Sequence, residues 1–97
     1  MTITAQTMNE VENIAGKYDF HGLPPKKIER GTMVLTVYEH NGNRKIDLGV
    51  KGSRVHILTT DGLTYYTLGS VDLKGFEALL AKFTQARYRT MQEAIRP

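Results

Sequence analysis

The feature that most constrains the fold is a series of tight-turn signals between residues 32 and 68. Asn-Gly at 41–42 and Asp-Gly at 61–62 favour two-residue type I′ hairpins, because both residues of such a turn need positive φ. Lys-Gly at 51–52 is a weaker candidate between them. Short alternating segments separate the three turns. Residues 32–68 are therefore predicted to form a four-stranded antiparallel β-meander.

Folding the chain at these three turns fixes which side chains lie opposite one another. The predicted apolar pairs are Val37 with Ile46, Leu35 with Leu48, Met33 with Val50, Leu48 with Val55, Ile46 with Ile57, Ile57 with Tyr66, and Val55 with Leu68. A slip of one residue would move a whole strand's side chains to the other face of the sheet. Because all three turns give one apolar face, they support the meander together.

The opposite face of the predicted sheet interleaves aromatic and basic side chains. Its predicted rows are Tyr38, Lys45, Leu58 and Tyr65; then Thr36, Asp47, His56 and Thr67; then Val34, Gly49 and Arg54. A face that only meets solvent typically carries small polar and charged residues with few large rings. That interpretation stays open beside a second one, a binding platform whose tyrosines offer ring faces and whose basic residues offer charge.

The formal charge of +3 is unevenly distributed along the chain. Residues 1–25 carry a net charge of −2, whereas residues 26–54 hold seven basic and three acidic side chains. A basic excess on the first strands is expected for a polyanion partner, although many small proteins are mildly basic without one. The candidate residues for binding nucleic acid or a partner protein are Tyr38, Arg44, Lys45, Lys51, Arg54, His56 and Tyr65.

A short helix is predicted before the meander, over residues 1–17. Thr7 and Glu10 have the spacing of a capping box, in which both side chains bind backbone N–H groups at a helix start. An apolar stripe with helical spacing comprises Met8, Val11, Ile14 and Ala15. Residues 18–31 are predicted to be an extended connector, because the tandem prolines Pro24 and Pro25 have no N–H groups.

A long helix is predicted after the meander, over residues 72–96. Its first stripe, which should cover the apolar sheet face, comprises Leu73, Phe76, Leu79, Leu80 and Phe83. A helix of this length spans about 36 Å, more than four short strands can cover. Its last turns are therefore predicted to overhang, so that Tyr88, Met91 and Ile95 contact either the N-terminal helix or another chain. A homodimer through this helix end or the sheet edge is expected.

The predicted fold class is α+β in a single domain of residues 1–97. It has a short N-terminal helix, a four-stranded antiparallel β-meander and a long C-terminal helix packed on one sheet face. The predicted core comprises Met33, Leu35, Val37, Ile46, Leu48, Val50, Val55, Ile57, Leu68, Phe76, Leu80 and Phe83.

Signals for chemistry are weak in this chain. His21, His40 and His56 have no spacing that would place two of them and a carboxylate around one metal ion, so no metal site is expected. Asp47 and His56 are predicted neighbours, but no serine or threonine is obviously activated beside them, which favours a structural or ligand-contacting pair. The glycines lie at turns and compose no phosphate loop. We therefore predict neither an enzyme nor a bound cofactor.

The composition also bears on where the protein acts. The chain has no cysteine, no apolar run of membrane-spanning length and no signal-peptide pattern at its N-terminus. It is expected to be soluble and cytoplasmic, with no membrane partner.

The predicted order of elements, a helix, four antiparallel strands and a long helix, is similar to the β-β-β-β-α modules of the whirly and transcriptional-coactivator type. The resemblance covers Thr32 to Phe83 and rests on topology and charge. It implies a dimer that binds single-stranded DNA or RNA, with Tyr38, Lys45 and Arg54 on the exposed strands. The alternative is a phage- or plasmid-type accessory protein that binds and inhibits or adapts a host protein through the same face or the C-terminal helix. Leu58 and Leu63 would suit such a contact.

Overall fold

The chain folds into two layers, an antiparallel sheet and a layer of helices. The computed structural model describes residues 3–29, 31–40 and 44–95. The elements are α1 (Ile3–Lys17), β1 (Phe20–Gly22), β2 (Lys26–Glu29), β3 (Thr32–Glu39), β4 (Lys45–Lys51), β5 (Arg54–Thr60), β6 (Tyr65–Val71), α2 (Leu73–Gln85) and α3 (Met91–Ile95). The predicted α+β class, with an antiparallel sheet between N-terminal and C-terminal helices, is confirmed.

The strands β3 to β6 follow one another in the sheet as a meander. The first hairpin has the predicted register, since Leu35 lies opposite Leu48 and Val37 lies opposite Ile46. The Asn-Gly turn at 41–42, from which this register is predicted, lies outside the described residues. Alternation of apolar and polar residues on both strands agrees with this pairing, because any odd slip would expose the apolar set.

The second hairpin turns one residue later than predicted. Lys51 pairs with Arg54, so the turn consists of Gly52, whose φ is 58°, and Ser53. Leu48 consequently lies opposite Ile57 and not opposite Val55. The predicted register is wrong by two residues, but an even slip keeps every apolar side chain on the same face.

The third hairpin has a longer loop than predicted, residues 61–64, between Thr60 and its partner Tyr65. The pairing then shifts, because Leu58 lies opposite Thr67 whereas Ile57 lies opposite Gly69. Leu68 is the extra residue of a β-bulge and packs half-buried against the core. The predicted pairs of Ile57 with Tyr66 and Val55 with Leu68 are wrong.

The connector predicted over residues 18–31 contains two short strands. Both β1 and β2 pair with β3, so the sheet has six strands among the described residues where four are predicted. The tandem prolines separate them, and the Leu23 N–H donates to the Thr36 carbonyl at 2.9 Å. Proline is tolerated in a sheet only at an edge or an irregularity. Strands of three and four residues give too little alternation for the sequence to reveal them.

The N-terminal helix has the predicted apolar stripe but not the predicted cap. Met8, Val11 and Ile14 are buried, as is Ala15. Thr7 lies inside α1 and is also buried, and its hydroxyl donates to the Ile3 carbonyl at 2.9 Å. The capping-box prediction is therefore wrong, because the helix begins a full turn earlier.

The C-terminal helix is broken in two. Asp72 caps α2 by accepting a hydrogen bond from the Gly75 N–H at 2.8 Å. The helix ends at Gln85, and Arg87 adopts a φ of 55°, which turns the chain back toward the sheet. Tyr88, Met91 and Ile95 consequently pack against the core of their own chain. The predicted overhang is absent, and the expectation of a dimer through it loses its basis.

The core lies between the sheet and the helices. Every residue predicted for it is buried there or, like Met33 and Leu68, packs half-buried against it. The sequence analysis did not place Phe20, whose ring centroid lies 6.1 Å from that of Phe83. Met91 and Ala94 of α3 are also buried there. No helix within the described ranges is long and apolar enough to cross a membrane.

Candidate nucleic-acid interface

The sheet face that points away from the helices is called here the open face. Its side chains come from β2 to β6 and alternate with those of the core. Residues of the open face include Lys26, Thr32, Val34, Thr36, Tyr38, Lys45, Asp47, Gly49, Lys51, Arg54, His56, Leu58, Thr60, Tyr65 and Thr67.

One depression of about 210 Å³ on the open face contains both candidate tyrosines. We call it the tyrosine pocket; it is lined by Leu23, Pro24, Lys26, Val34, Thr36, Tyr38, Lys45, Asp47, Thr60 and Tyr65. Tyr38 belongs to β3 and Tyr65 to β6, two strands that lie three positions apart in the sheet. Because these strands line one pocket, the open face is concave. Tyr38 remains 41% exposed, so part of its ring is free to contact a ligand.

A second depression, of about 250 Å³, lies beside the first. We call it the histidine pocket; it is lined by Thr32, Gly49, Lys51, His56, Leu58, Tyr65 and Thr67. A Cβ atom at position 49 would lie 3.3 Å from Leu58 Cδ1. The missing side chain of Gly49 therefore provides the space that the Leu58 side chain occupies. Tyr65 lines both pockets, which makes them one continuous surface.

The structure brings Tyr38, Lys45 and Tyr65 together as predicted, but for a different reason. Lys45 is predicted to lie opposite Leu58, and Leu58 opposite Tyr65. In the structure Leu58 lies opposite Asp47, while Tyr65 lies opposite Thr60. Compared with the prediction, β5 is displaced by two residues relative to both β4 and β6. The two register errors therefore cancel, and Lys45 keeps its predicted row with Tyr65.

The Asp47 carboxylate lies on the open face and is hydrogen-bonded within the sheet. Asp47 is only 9% exposed, and its Oδ1 accepts a hydrogen bond from the Thr36 hydroxyl at 2.6 Å. The predicted contact between Asp47 and His56 is wrong, because His56 lies opposite Gly49 and Ser70. This removes the arrangement in which a carboxylate would orient the imidazole as a base.

The lysines of the open face have no ion-pair partner among the described residues. The described ion pairs join Lys17 to Glu77 and Arg44 to Glu39, and neither involves this face. The pocket linings described above contain three lysines and a single carboxylate, that of Asp47. The described linings of the two pockets therefore carry a net positive charge.

Two of the basic residues lie opposite each other at the turn end of the second hairpin. Lys51 pairs with Arg54 across β4 and β5, and like charges directly opposite are destabilising. The Arg54 guanidinium donates to the Ser70 carbonyl at 2.9 Å and to its hydroxyl at 3.2 Å, which holds the positive charge in place. An anion bound between these two residues would relieve their repulsion.

Arg44 does not belong to this surface. Its guanidinium forms an ion pair with Glu39 and donates from Nη1 to the carbonyls of Phe83 and Tyr88, each at 2.9 Å. Its Cζ also lies 4.4 Å from the centroid of the Phe83 ring. The prediction that Arg44 contacts nucleic acid is replaced by a structural role at the end of α2.

Several residues that line these pockets or the next one lie outside the predicted rows of the open face. Lys26 and Thr60 line the tyrosine pocket, and Arg89 lines a neighbouring cavity of about 330 Å³ that also includes Lys45. Lys26 lies in the basic segment before β3, so its charge is visible in the sequence although its strand is not. Arg89 reaches this position only because the C-terminal helix breaks.

Comparison with known proteins adds no relative to this description. No protein-family model matches the chain, and no curated protein or solved structure gives a significant match. The case for a function therefore depends on the geometry and charge of the open face.

Proposed function

We propose that this protein binds single-stranded nucleic acid on its concave open face. The observation that carries the proposal is the tyrosine pocket, in which two tyrosine rings lie beside lysines that have no ion-pair partner in the described part of the chain. Proteins that bind single strands combine a positively charged groove for the backbone with aromatic rings on which bases stack. A duplex hides the faces of its bases, so a single strand is the better ligand for such a surface.

The charges and rings have distinct roles in this proposal. Tyr38 and Tyr65 stack unpaired bases, a contact worth about 1–3 kcal/mol for each base. Lys26, Lys45 and Lys51 neutralise phosphates, and Arg54 adds a fourth cation at the end of the histidine pocket. His56 lies between the phosphate and base contacts, where its ring nitrogens can bind either group.

Salt dependence is the first test of this proposal. With about four phosphate contacts to a single strand, raising the salt from about 50 to 200 mM is expected to weaken binding roughly 50-fold. Fluorescence anisotropy of a labelled single-stranded oligonucleotide measures the effect. Lys45→Ala should reduce the slope of log affinity against log salt by about 0.7. Tyr38→Ala should weaken binding without changing that slope, because stacking releases no counterions.

Matched controls separate the open face from general effects. Lys74→Ala removes the same charge from the exposed side of α2, and it is expected to leave the salt slope nearly unchanged. Tyr66 is 51% exposed and lies opposite Thr59, on the other side of the sheet from Tyr38, so Tyr66→Ala should retain wild-type affinity. We would abandon the proposal if the wild-type chain bound no tighter than about 100 μM near 50 mM salt.

A second candidate function, binding to a folded protein partner, is favoured by one observation at the tip of the third hairpin. Leu63 is 95% exposed there, although the loop is well ordered by hydrogen bonds. Asp61 Oδ1 accepts from the N–H groups of Leu63 and Thr64, each at 2.8 Å, and Oδ2 accepts from the Tyr66 hydroxyl at 3.0 Å. These bonds, the one from Thr64 foremost, hold the pKa of Asp61 below its usual value.

An ordered loop that presents a large apolar side chain to water suits insertion into a pocket of a partner protein, as expected for an accessory protein. The variant series separates the two functions. Affinity for a protein partner would depend on Leu63 and the rings and would change little with salt.

A homodimer is also proposed, through β6. This strand forms one end of the sheet, and no strand among the described residues pairs with its outer side. Antiparallel pairing of two copies of β6 would satisfy those backbone groups and extend the concave face across both chains. Sedimentation equilibrium at micromolar concentration should give twice the mass of 10.9 kDa. A species that stays at the mass of one chain would contradict the dimer.

A further inference from the structure

Two imidazole rings meet at the margin of the open face, where β1 pairs with β3. His21 lies opposite Tyr38, and His40 directly follows β3, with its backbone N–H donating to the Asp19 carbonyl at 2.9 Å. The ring centroids of His21 and His40 are 5.2 Å apart, and the ring planes make an angle of 68°. The pair is not predictable from the sequence, because β1 is too short to be recognised as a strand.

Both histidine side chains are exposed. No hydrogen bond among the described residues engages a ring nitrogen of either one, so four nitrogens are available to a ligand at one place. Neutral imidazole is the commonest protein ligand for transition metals and suits zinc, copper and nickel. Hard cations such as magnesium prefer oxygen ligands and would not select this pair.

The separation of the rings matches a shared metal ion. With Zn–N bonds of about 2.0–2.1 Å and a tetrahedral angle between ligands, the centroids of two imidazoles on one zinc ion lie about 5 Å apart. The observed centroid separation of 5.2 Å agrees with this value.

We infer that His21 and His40 together bind a divalent transition-metal ion of the zinc, nickel or copper class, with water completing its coordination. No group of three histidine, cysteine, aspartate or glutamate side chains converges in the described part of the chain. The site is therefore weaker than a four-ligand structural zinc site, with a Kd on the order of 10–100 μM. The ion would join β1 to the end of β3 beside Tyr38. This site does not depend on the proposed nucleic-acid function.

Titration of Zn²⁺ into the full chain without an affinity tag tests the site by calorimetry. One ion per chain is expected, with no heat from Mg²⁺. His21→Gln and His40→Gln should each weaken zinc binding at least about tenfold, because a single imidazole loses the chelate. The matched control is His56→Gln, which removes the third histidine from the histidine pocket and should retain wild-type affinity.

A measurement on the unmodified chain makes the result independent of any variant's folding. In NMR spectra of the imidazole groups, Zn²⁺ should shift the signals of His21 and His40 together, at the same concentration, and leave those of His56 in place. The inference is overturned by a Kd weaker than about 1 mM. It is also overturned if His21→Gln binds zinc as tightly as the wild type, or if His56 responds in place of the pair.

Discussion

Leu48→Ala is expected to lower the free energy of unfolding by about 2–5 kcal/mol, enough to threaten the stability of so small a domain. Leu48 is fully buried at the centre of β4, between Leu35 and Ile57 on the neighbouring strands. The substitution removes three carbon atoms from a fully buried site in a strand that α1 contacts, so the cavity cannot easily collapse. Phe76→Ala, at the other side of the same core, should cost a similar amount. Denaturant titration followed by circular dichroism measures both.

Leu63→Ala is the matched control for Leu48→Ala, because it removes the same atoms from a side chain that is 95% exposed. Its midpoint should stay within experimental error of the wild type, since little apolar surface is buried there. Equal midpoints for Leu48→Ala and the wild type would show that the core assignment is wrong.

Arg44→Ala is expected to cost about 2–3 kcal/mol, although the same change at an exposed position costs little. Loss of the guanidinium leaves the Tyr88 carbonyl without this donor and the Phe83 carbonyl with only the Tyr88 N–H, at 3.3 Å. It also leaves Glu39 without its ion-pair partner. The side chains of Arg44 and Glu39 are 19% and 20% exposed, so water compensates only in part. The matched control is Lys45→Ala, one residue away on the exposed side of β4. Similar midpoints for the two variants would contradict the structural role of Arg44.

The same ion pair predicts an acid dependence. The hydrogen bond from Arg44 holds the pKa of Glu39 below its ordinary value of 4.5, against the opposing effect of burial. A carboxyl group with a lowered pKa in the folded state stabilises the protein above its unfolded-state pKa, and this contribution is lost as the pH falls through the folded-state pKa. Wild type should therefore exceed Glu39→Gln in stability near neutral pH. The difference should shrink below about pH 4.5, and a constant difference would exclude the linkage.

The sequence predicts the four strands of the meander better than the short strands β1 and β2, because alternation is a strong signal only in long strands. β3 has eight residues and β4 has seven, so a slip by one residue would expose several apolar side chains at once. Turn dipeptides are weaker guides. The second turn lies at Gly52 and Ser53, one residue later than predicted. The third turn is a four-residue loop, and the β-bulge at Leu68 changes the pairing register again further along the strand.

The break in the C-terminal helix has no local signal that the sequence analysis could use. Neither glycine nor proline lies near Arg87, which nevertheless takes a positive φ. The break depends on tertiary contacts, since Arg44 of a distant segment binds the carbonyls on both sides of it. The candidate site was easier to predict, because parity along a strand decides which face a residue lies on. For that reason Tyr38, Lys45 and Tyr65 are predicted on the correct face despite two wrong registers, and they are also predicted close together because the two errors cancel.

The tandem prolines between β1 and β2 limit how this protein can associate with itself. Pro24 and Pro25 offer no N–H groups, and the N–H of Leu23 is already bound to Thr36, so this margin of the sheet has no continuous row of donors for an added strand. The margin at β6 has no such interruption. Two chains joined through β6 would therefore expose only proline-interrupted margins, and neither margin offers a template for a third chain. Raising the protein concentration would increase the fraction of chains in the dimer and would not produce a filament.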